Sequence, residues 1–235
     1  MTIKAVIFDL DGTLVKFNLD YKMVRAETKQ ILVKEGFPAS IFSLDESIFD
    51  MLQKAQLYMR NNGKKETEVA KIRETIFKFA ERHELEAART TELLPGASET
   101  LTMLKEMKLK LGLFTINCTA ATDYIIKQLR LTRFFQVIVT RDCVETVKPA
   151  PEHLDIVLKK LKVRPEETLV VGDGISDMKS AQELKAIGIG VPMGVATSGA
   201  LTKAGATCLI TSLTDLPNIV NQFNQEQTIP NPAQD

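Results

Sequence analysis

Cysteine, long apolar runs and an excess of charge of one sign are all scarce or missing in this chain of 235 residues. Its three cysteines, Cys118, Cys143 and Cys208, are scattered, odd in number and without the spacing of a metal site. That argues against a disulfide framework and against a cysteine-held metal. Thirty basic residues balance thirty acidic ones, so no bulk field draws the chain to nucleic acid or to an anionic membrane. No apolar run is long enough to span a bilayer. The first residues read as a strand ending in aspartates, not as a basic-apolar-small leader. No internal repeat is visible. The expectation is a soluble, cytoplasmic protein with neither nucleic acid nor membrane as a partner. A hydrophobic content of 44% supports a real core, in one large domain or two small ones.

What the chain does have begins at residue 5. Residues 5 to 8 are small, β-branched and aromatic, with no charge, and read as a buried strand. The strand runs into Asp9-Leu10-Asp11-Gly12-Thr13. Two carboxylates at a strand end in an α/β fold lie where ligands bind. They repel unless a cation lies between them or one holds a proton, and a hard cation such as Mg²⁺ suits oxygen ligands of this kind. A turn with two solvated aspartates is the plain alternative.

Three helical stretches follow, at 19–35, 44–60 and 66–88. The second places Leu44, Ile48, Met51, Leu52, Ala55 and Met59 on one stripe, which is helix spacing, and Ser43 with Glu46 resembles a capping box at its start. The third repeats the pattern with Val69, Ile72, Ile76, Ala80, His83 and Ala87; His83 reads as a core histidine with a satisfied partner. From Pro95 onward short apolar strands (110–115, 135–140, 168–172, 187–191, 207–210) alternate with helical runs (96–107, 119–130, 151–161, 176–185). That alternation predicts an α/β fold, a parallel sheet with helices on its faces. The first strand belongs to the same sheet. Residues 1–14 and 92–224 then form the core, 15–91 a helical insertion, and 225–235 a polar, disordered tail.

Later strand ends also carry polar groups. Thr115 precedes a helix start and suits a phosphate contact, or simply a turn. Lys148 stands before Pro149-Ala150-Pro151, a stiff segment that aims its ammonium, unless it is an ordinary surface lysine. Asp173 ends a strand between Gly172 and Gly174, which allow a sharp turn close to a ligand. Asp177 opens the next helix, as a site residue or as a cap.

Taken in order, Asp9-Leu10-Asp11-Gly12-Thr13, Thr115, Lys148-Pro149 and Gly172-Asp173-Gly174-Ile175-Ser176-Asp177 resemble the four motifs of the haloacid dehalogenase superfamily, with the insertion at the place of that family's α-helical type 1 cap. The resemblance, nearest to phosphoglycolate phosphatase-like members, implies a Rossmann-like core and Mg²⁺-dependent hydrolysis of a small-molecule phosphate ester. Asp9 would be the nucleophile, forming an aspartyl-phosphate, and Asp11 the acid and base. Thr115, Asn117 and Lys148 would hold the phosphoryl group. Asp9, the Asp11 backbone carbonyl and Asp173 would bind the metal, with Asp177 either reaching the ion through water or steadying Lys148. An acid at Asp11 favours phosphoester over carbon–halogen chemistry. Two rivals stay open: a phosphomutase of the same fold, and a non-catalytic phosphate-binding regulatory protein. The chain departs from the common pattern where Ile116 separates Thr115 from Asn117, and where Lys16-Phe17-Asn18 follows the first motif. Lys16, Asn18, Lys22 and Arg25 are candidates for contacts to an anionic substrate, against a default of solvated helix faces.

Overall fold

The computed structural model describes residues 2–63 and 66–225. Six strands, β1 (Ala5–Phe8), β2 (Lys110–Phe114), β3 (Val137–Val139), β4 (Thr168–Gly172), β5 (Ile187–Gly190) and β6 (Cys208–Leu209), form one sheet. Their spatial order is β3-β2-β1-β4-β5-β6, and every neighbouring pair is parallel. The strands are short apolar runs because both faces are covered, as parallel sheets require. Ile7 and Val170 pack with Leu154, Val157, Leu158 and Ala181 from α6 (Pro151–Leu161) and α7 (Ile175–Leu184). On the other face Val6, Phe8, Leu111, Leu113, Leu169 and Val171 are equally buried.

The register carries the functional consequence. Phe8 stands opposite Leu113 on one side and Val171 on the other. The next residue of each strand path therefore lies at one edge of the sheet: Asp9 after β1, Thr115 shortly after β2, Asp173 after β4. The chain leaves β1 for β2 on one side and returns to β4 on the other, so this edge is a topological switch point.

The chain divides into two compact units. The first holds Met1–Phe17 and everything from Thr91 onward, and contains the sheet, α4 (Ala97–Glu106), α5 (Thr119–Gln128), α6, α7, α8 (Ser198–Lys203) and α9 (Leu216–Gln225). The last two helices were not anticipated. α8 is short, and α9 mixes Asn and Gln with one buried stripe of Leu216, Pro217 and Val220, which reads as polar from sequence. Gln225 is the last described residue of α9, and the rest of the expected tail lies outside the described residues.

The second unit, Asn18–Thr90, contains α1 (Tyr21–Lys34), α2 (Ile48–Asn61) and α3 (Glu66–Ala88). They close around Val24, Leu32, Met51, Ala55, Ile76 and Ala80. The start of α2 differs from expectation. Ser43 N–H does donate to Glu46, at 2.9 Å, but only as a turn. The helix begins at Ile48, where Ser47 and Asp50 make the capping box. Leu44 accordingly lies off the buried stripe and is exposed. His83 also differs: its Nδ1 lies 3.7 Å from Glu86 and its ring lies tilted beside Phe79, but its buried Nε2 lacks a hydrogen-bond partner among the described residues. No helix among the described residues is long and apolar enough to cross a membrane.

Gly112 is a tight point of the sheet–helix packing on the α6 face. A Cβ there would meet Val157 Cγ1 at 2.7 Å and Leu161 Cδ1 at 3.1 Å. Gly112→Ala should therefore lower stability by roughly 1–3 kcal/mol through overpacking, read as a lower urea midpoint at unchanged m-value.

Candidate active site

Four peptide segments converge at the carboxyl edge of the sheet. Asp9 extends β1 and is held in line by its N–H, which donates to the Val171 carbonyl at 2.9 Å. The chain then turns through Gly12, whose φ of +76° is left-handed and suits glycine. A Cβ at Gly12 would lie 2.4 Å from Asp173 Oδ2, so the glycine also lets the first motif approach the fourth. Thr13, fully buried, ties the two together. Its hydroxyl accepts from Asp173 N–H at 3.1 Å and donates to Asp173 Oδ1 at 3.3 Å. Val195 N–H donates to the other oxygen, Oδ2, at 3.0 Å. Asp173 is thereby aimed, not merely present.

Lys148 lies at the centre. Its ammonium donates to Asp9 Oδ1 at 2.5 Å and to Asp177 Oδ1 at 2.6 Å. It also lies 3.4 Å from the Phe114 carbonyl and 4.4 Å from the centroid of the Phe114 ring. The surface-lysine alternative is thereby removed: this side chain is buried. Asp177 does two things at once. Its Oδ2 accepts from Gly174 N–H at 2.9 Å, capping α7, while Oδ1 anchors Lys148. The chain bends at Asp173 and Gly174, as expected, and the glycines beside Asp177 have a second part. Gly174 has an extended φ of −102°, and a Cβ on Gly172 would strike the Asp177 carboxyl at 2.4 Å. They make room for a carboxylate.

Burial and charge then set the proton affinities. Burial pushes the Asp9 carboxyl up to about 6 against the pull of Lys148, with Asp173 adding repulsion. Asp177 is likewise pushed up to about 6 by burial, with Lys148 opposing and Asp9 adding. Asp173 is raised by burial and by Asp177. Burial alone would lower the Lys148 ammonium, but the Asp177 and Asp9 carboxylates outweigh it and hold the group charged.

The carboxylates of Asp9, Asp173 and Asp177 each offer an oxygen, all within 4.8 Å of one another. Against them stands one ammonium. If all are ionised, two negative charges remain uncompensated among hard oxygen donors, which fits a divalent cation such as Mg²⁺.

Thr115 is buried at the end of β2, its N–H donating to Val139 and its hydroxyl accepting from Asn117 N–H at 3.2 Å. Asn117 turns its side chain elsewhere: Nδ2 donates to Asp11 Oδ2 at 2.5 Å. Cys118 is the N-cap of α5, its Sγ accepting from Ala121 N–H. The four basic or amide candidates near the insertion each have surroundings within their own unit. Lys16 pairs with Glu92 at 2.6 Å, Asn18 donates to the Thr90 carbonyl at 3.1 Å, and Arg25 donates to the Leu44 and Asp45 carbonyls and covers the Tyr21 ring. Lys22 is exposed on α1.

One residue of the site was missed from sequence. His153, fully buried on α6, accepts from Lys148 N–H on Nδ1 at 3.3 Å, and its Nε2 faces the Val139 carbonyl at 3.2 Å. The proton therefore sits on Nε2. Burial and the Lys148 charge push its pKa down to about 4. Its only sequence signal was a histidine among the apolar positions of a helix that starts just after the Lys148 motif.

With this geometry in hand, residues 6–191 match the family model described as haloacid dehalogenase-like hydrolase. The chain belongs to the haloacid dehalogenase-like hydrolase family. Within it, the chain is 29% identical to the pyrophosphatase PpaX of Bacillus pumilus, over 93% of this chain and 97% of that one. It is 30% identical to pyrophosphatase PpaX of Bacillus cereus, over 77% and 80%. Among solved structures, a hydrolase from Pseudomonas syringae superposes with a TM-score of 0.64 at 28% identity, covering 93% of this chain and 98% of that one. As a family member the chain is a hydrolase, and the six-stranded parallel sheet is the α/β fold that the motifs implied.

Two outcomes check the electrostatics. Lys148→Met leaves buried carboxylates without their ammonium, and should destabilise the metal-free protein by roughly 3–5 kcal/mol, measured by urea unfolding. The second concerns His153, whose depressed folded-state pKa stabilises the fold above its ordinary 6.5 and loses that contribution as pH falls toward 4. The raised Asp9 and Asp177 values act in the opposite sense, so a difference measurement is needed. The stability gap between the native protein and His153→Leu should narrow by about 2 kcal/mol from pH 7 to pH 4.5.

Proposed function

We propose that this hydrolase is a magnesium-dependent phosphatase that transfers the phosphoryl group of a small substrate to Asp9 and then to water. The observation that carries this reading is the buried Lys148 ammonium bonded to both Asp9 and Asp177. It holds Asp9 Oδ1 and leaves Oδ2 as the attacking oxygen, so the nucleophile is oriented before substrate arrives. Asp9, Asp173 and the Asp11 backbone carbonyl would hold Mg²⁺, which when bound supplies positive charge for the phosphoryl oxygens. Asp177 is assigned to steadying Lys148, because its two oxygens are engaged by Lys148 and Gly174.

In the first half-reaction Asp9 attacks phosphorus and Asp11 protonates the departing alkoxide; in the second Asp11 takes a proton from the attacking water. Little covalent work falls to the rest of the site, so positioning and electrostatics dominate. The Thr115 hydroxyl accepts from Asn117 N–H, which leaves its own proton to donate to a phosphoryl oxygen. Lys148 neutralises charge as the oxygens gather it. The helical unit, residues Asn18–Thr90, is assigned the part of a cap that selects substrate, because all the residues given a chemical role lie in the other unit. Relatives named as pyrophosphatases put inorganic pyrophosphate first in a substrate panel, followed by sugar phosphates and phosphoglycolate.

The test is phosphate release across that panel with and without Mg²⁺. Asp9→Asn should lower turnover by roughly three orders of magnitude or more while the protein stays folded; near-normal release would remove Asp9 as nucleophile. Asp173→Asn should raise the Mg²⁺ needed for half activity by roughly tenfold or more. An isomerised sugar phosphate without free phosphate would instead favour a mutase.

A further inference from the structure

Asn117 stands where a phosphate ligand was expected, but the side chain is committed to another partner. Its Nδ2 donates to Asp11 Oδ2 at 2.5 Å, across 106 residues of sequence. The residue is buried, and its backbone is gripped from the turn after β3. Arg141 N–H donates to the Asn117 carbonyl at 3.2 Å, and the buried Arg141 guanidinium donates from Nη1 to the Ile116 carbonyl at 3.3 Å. The next residue, Asp142, accepts from Thr119 N–H at 2.7 Å, while the Thr119 and Thr140 hydroxyls meet at 2.7 Å. The turn after β3 thus holds the loop from Ile116 to Thr119 on both sides of Asn117. Ile116, the residue that separates Asn117 from Thr115, is part of this arrangement: it sets Asn117 two positions beyond the hydroxyl.

We propose that Asn117 is a positioning residue for the proton-transfer carboxylate of Asp11, and that the Arg141–Asp142 turn aims it. The inference rests on the phosphatase reading, in which Asp11 protonates the leaving group. An amide donor on Oδ2 fixes the rotation of the carboxyl group and makes Oδ1 the oxygen that carries the proton. A carboxyl free to rotate would present that proton to the departing oxygen only part of the time. Holding it contributes only when the leaving group needs a proton. An alkyl phosphate departs as a strongly basic alkoxide and depends on that proton. 4-Nitrophenyl phosphate departs as a weakly basic phenolate and scarcely needs it. A phosphate ligand would instead act on the phosphoryl group that both esters share.

The discriminating experiment compares kcat/KM for an alkyl phosphate and for 4-nitrophenyl phosphate in the native protein, Asn117→Ala and Asn117→Asp. The ratio kcat/KM reports only steps up to leaving-group departure, so the common hydrolysis of the phosphorylated enzyme drops out. Asn117→Asp keeps the shape but replaces the donor by an acceptor that repels Asp11. Both variants should lose about 30-fold or more on the alkyl ester and less than about threefold on the aryl ester. Near-equal losses on the two esters, with thermal stability retained, would overturn the proposal and return Asn117 to phosphate binding or structure. If a variant unfolds, the native Asn117 in an Arg141→Met protein should show the same selective loss at smaller size, and equal slowing there also overturns it. If the native protein releases phosphate from neither ester nor from any member of the substrate panel at saturating Mg²⁺, the phosphatase reading itself fails and the inference falls with it.

Discussion

The arrangement depends on one ammonium between two buried carboxylates. Three carboxylates at one end of a sheet repel each other at close range, and burial deepens the cost by removing water. Lys148 offsets part of that cost by bonding Asp9 and Asp177 together. The remaining negative charge suits the site to a cation, while burial first, and repulsion between the carboxylates after it, raise the Asp9 and Asp177 proton affinities. The surroundings serve the ammonium in turn. Phe114 gives it a carbonyl and an aromatic face, and His153 fixes its backbone from α6. The histidine is neutral there, because burial and the Lys148 charge disfavour its proton and its Nδ1 must stay unprotonated to accept from Lys148 N–H.

The same arrangement explains why the fold and the chemistry are hard to separate. A parallel sheet with both faces covered leaves its carboxyl edge as the place for polar groups. The register puts Asp9, Thr115 and Asp173 there together. Gly12 and Thr13 then join the first and fourth motifs so closely that a side chain at Gly12 would collide with Asp173. Stability lost at this edge is traded for a preorganised set of charges.

Much of this was legible in the sequence, and the reason is local. Asp9, Asp11, Thr115 and Asp173 come at the ends of apolar runs, Asp177 lies in the first turn of a helix and Lys148 stands just before one, so their positions at one edge follow from the alternation of strands and helices. What escaped the reading depended on contacts between distant segments. The Asn117–Asp11 bond joins two loops, and His153 looks like one more residue on an amphipathic helix beside Leu154 and Val157. Gly172 and Gly174 suit the bend at this strand end, but nothing local shows that the Asp177 carboxylate occupies the space they leave. The start of α2 was misplaced because two Ser-x-x-acid boxes occur four residues apart, and only packing chooses Ser47 over Ser43.

The central claim is that Lys148 holds Asp9 ready to accept a phosphoryl group. Its most direct measurement is rapid acid quenching during turnover with Mg²⁺, followed by borohydride trapping and peptide mapping. The account predicts that borohydride reduces the phosphorylated Asp9 carboxyl to an alcohol, with phosphate as the leaving group, and that this reduced residue is lost in Lys148→Ala. Phosphate release with no reduced residue at position 9, or with the reduction at another residue, would contradict it.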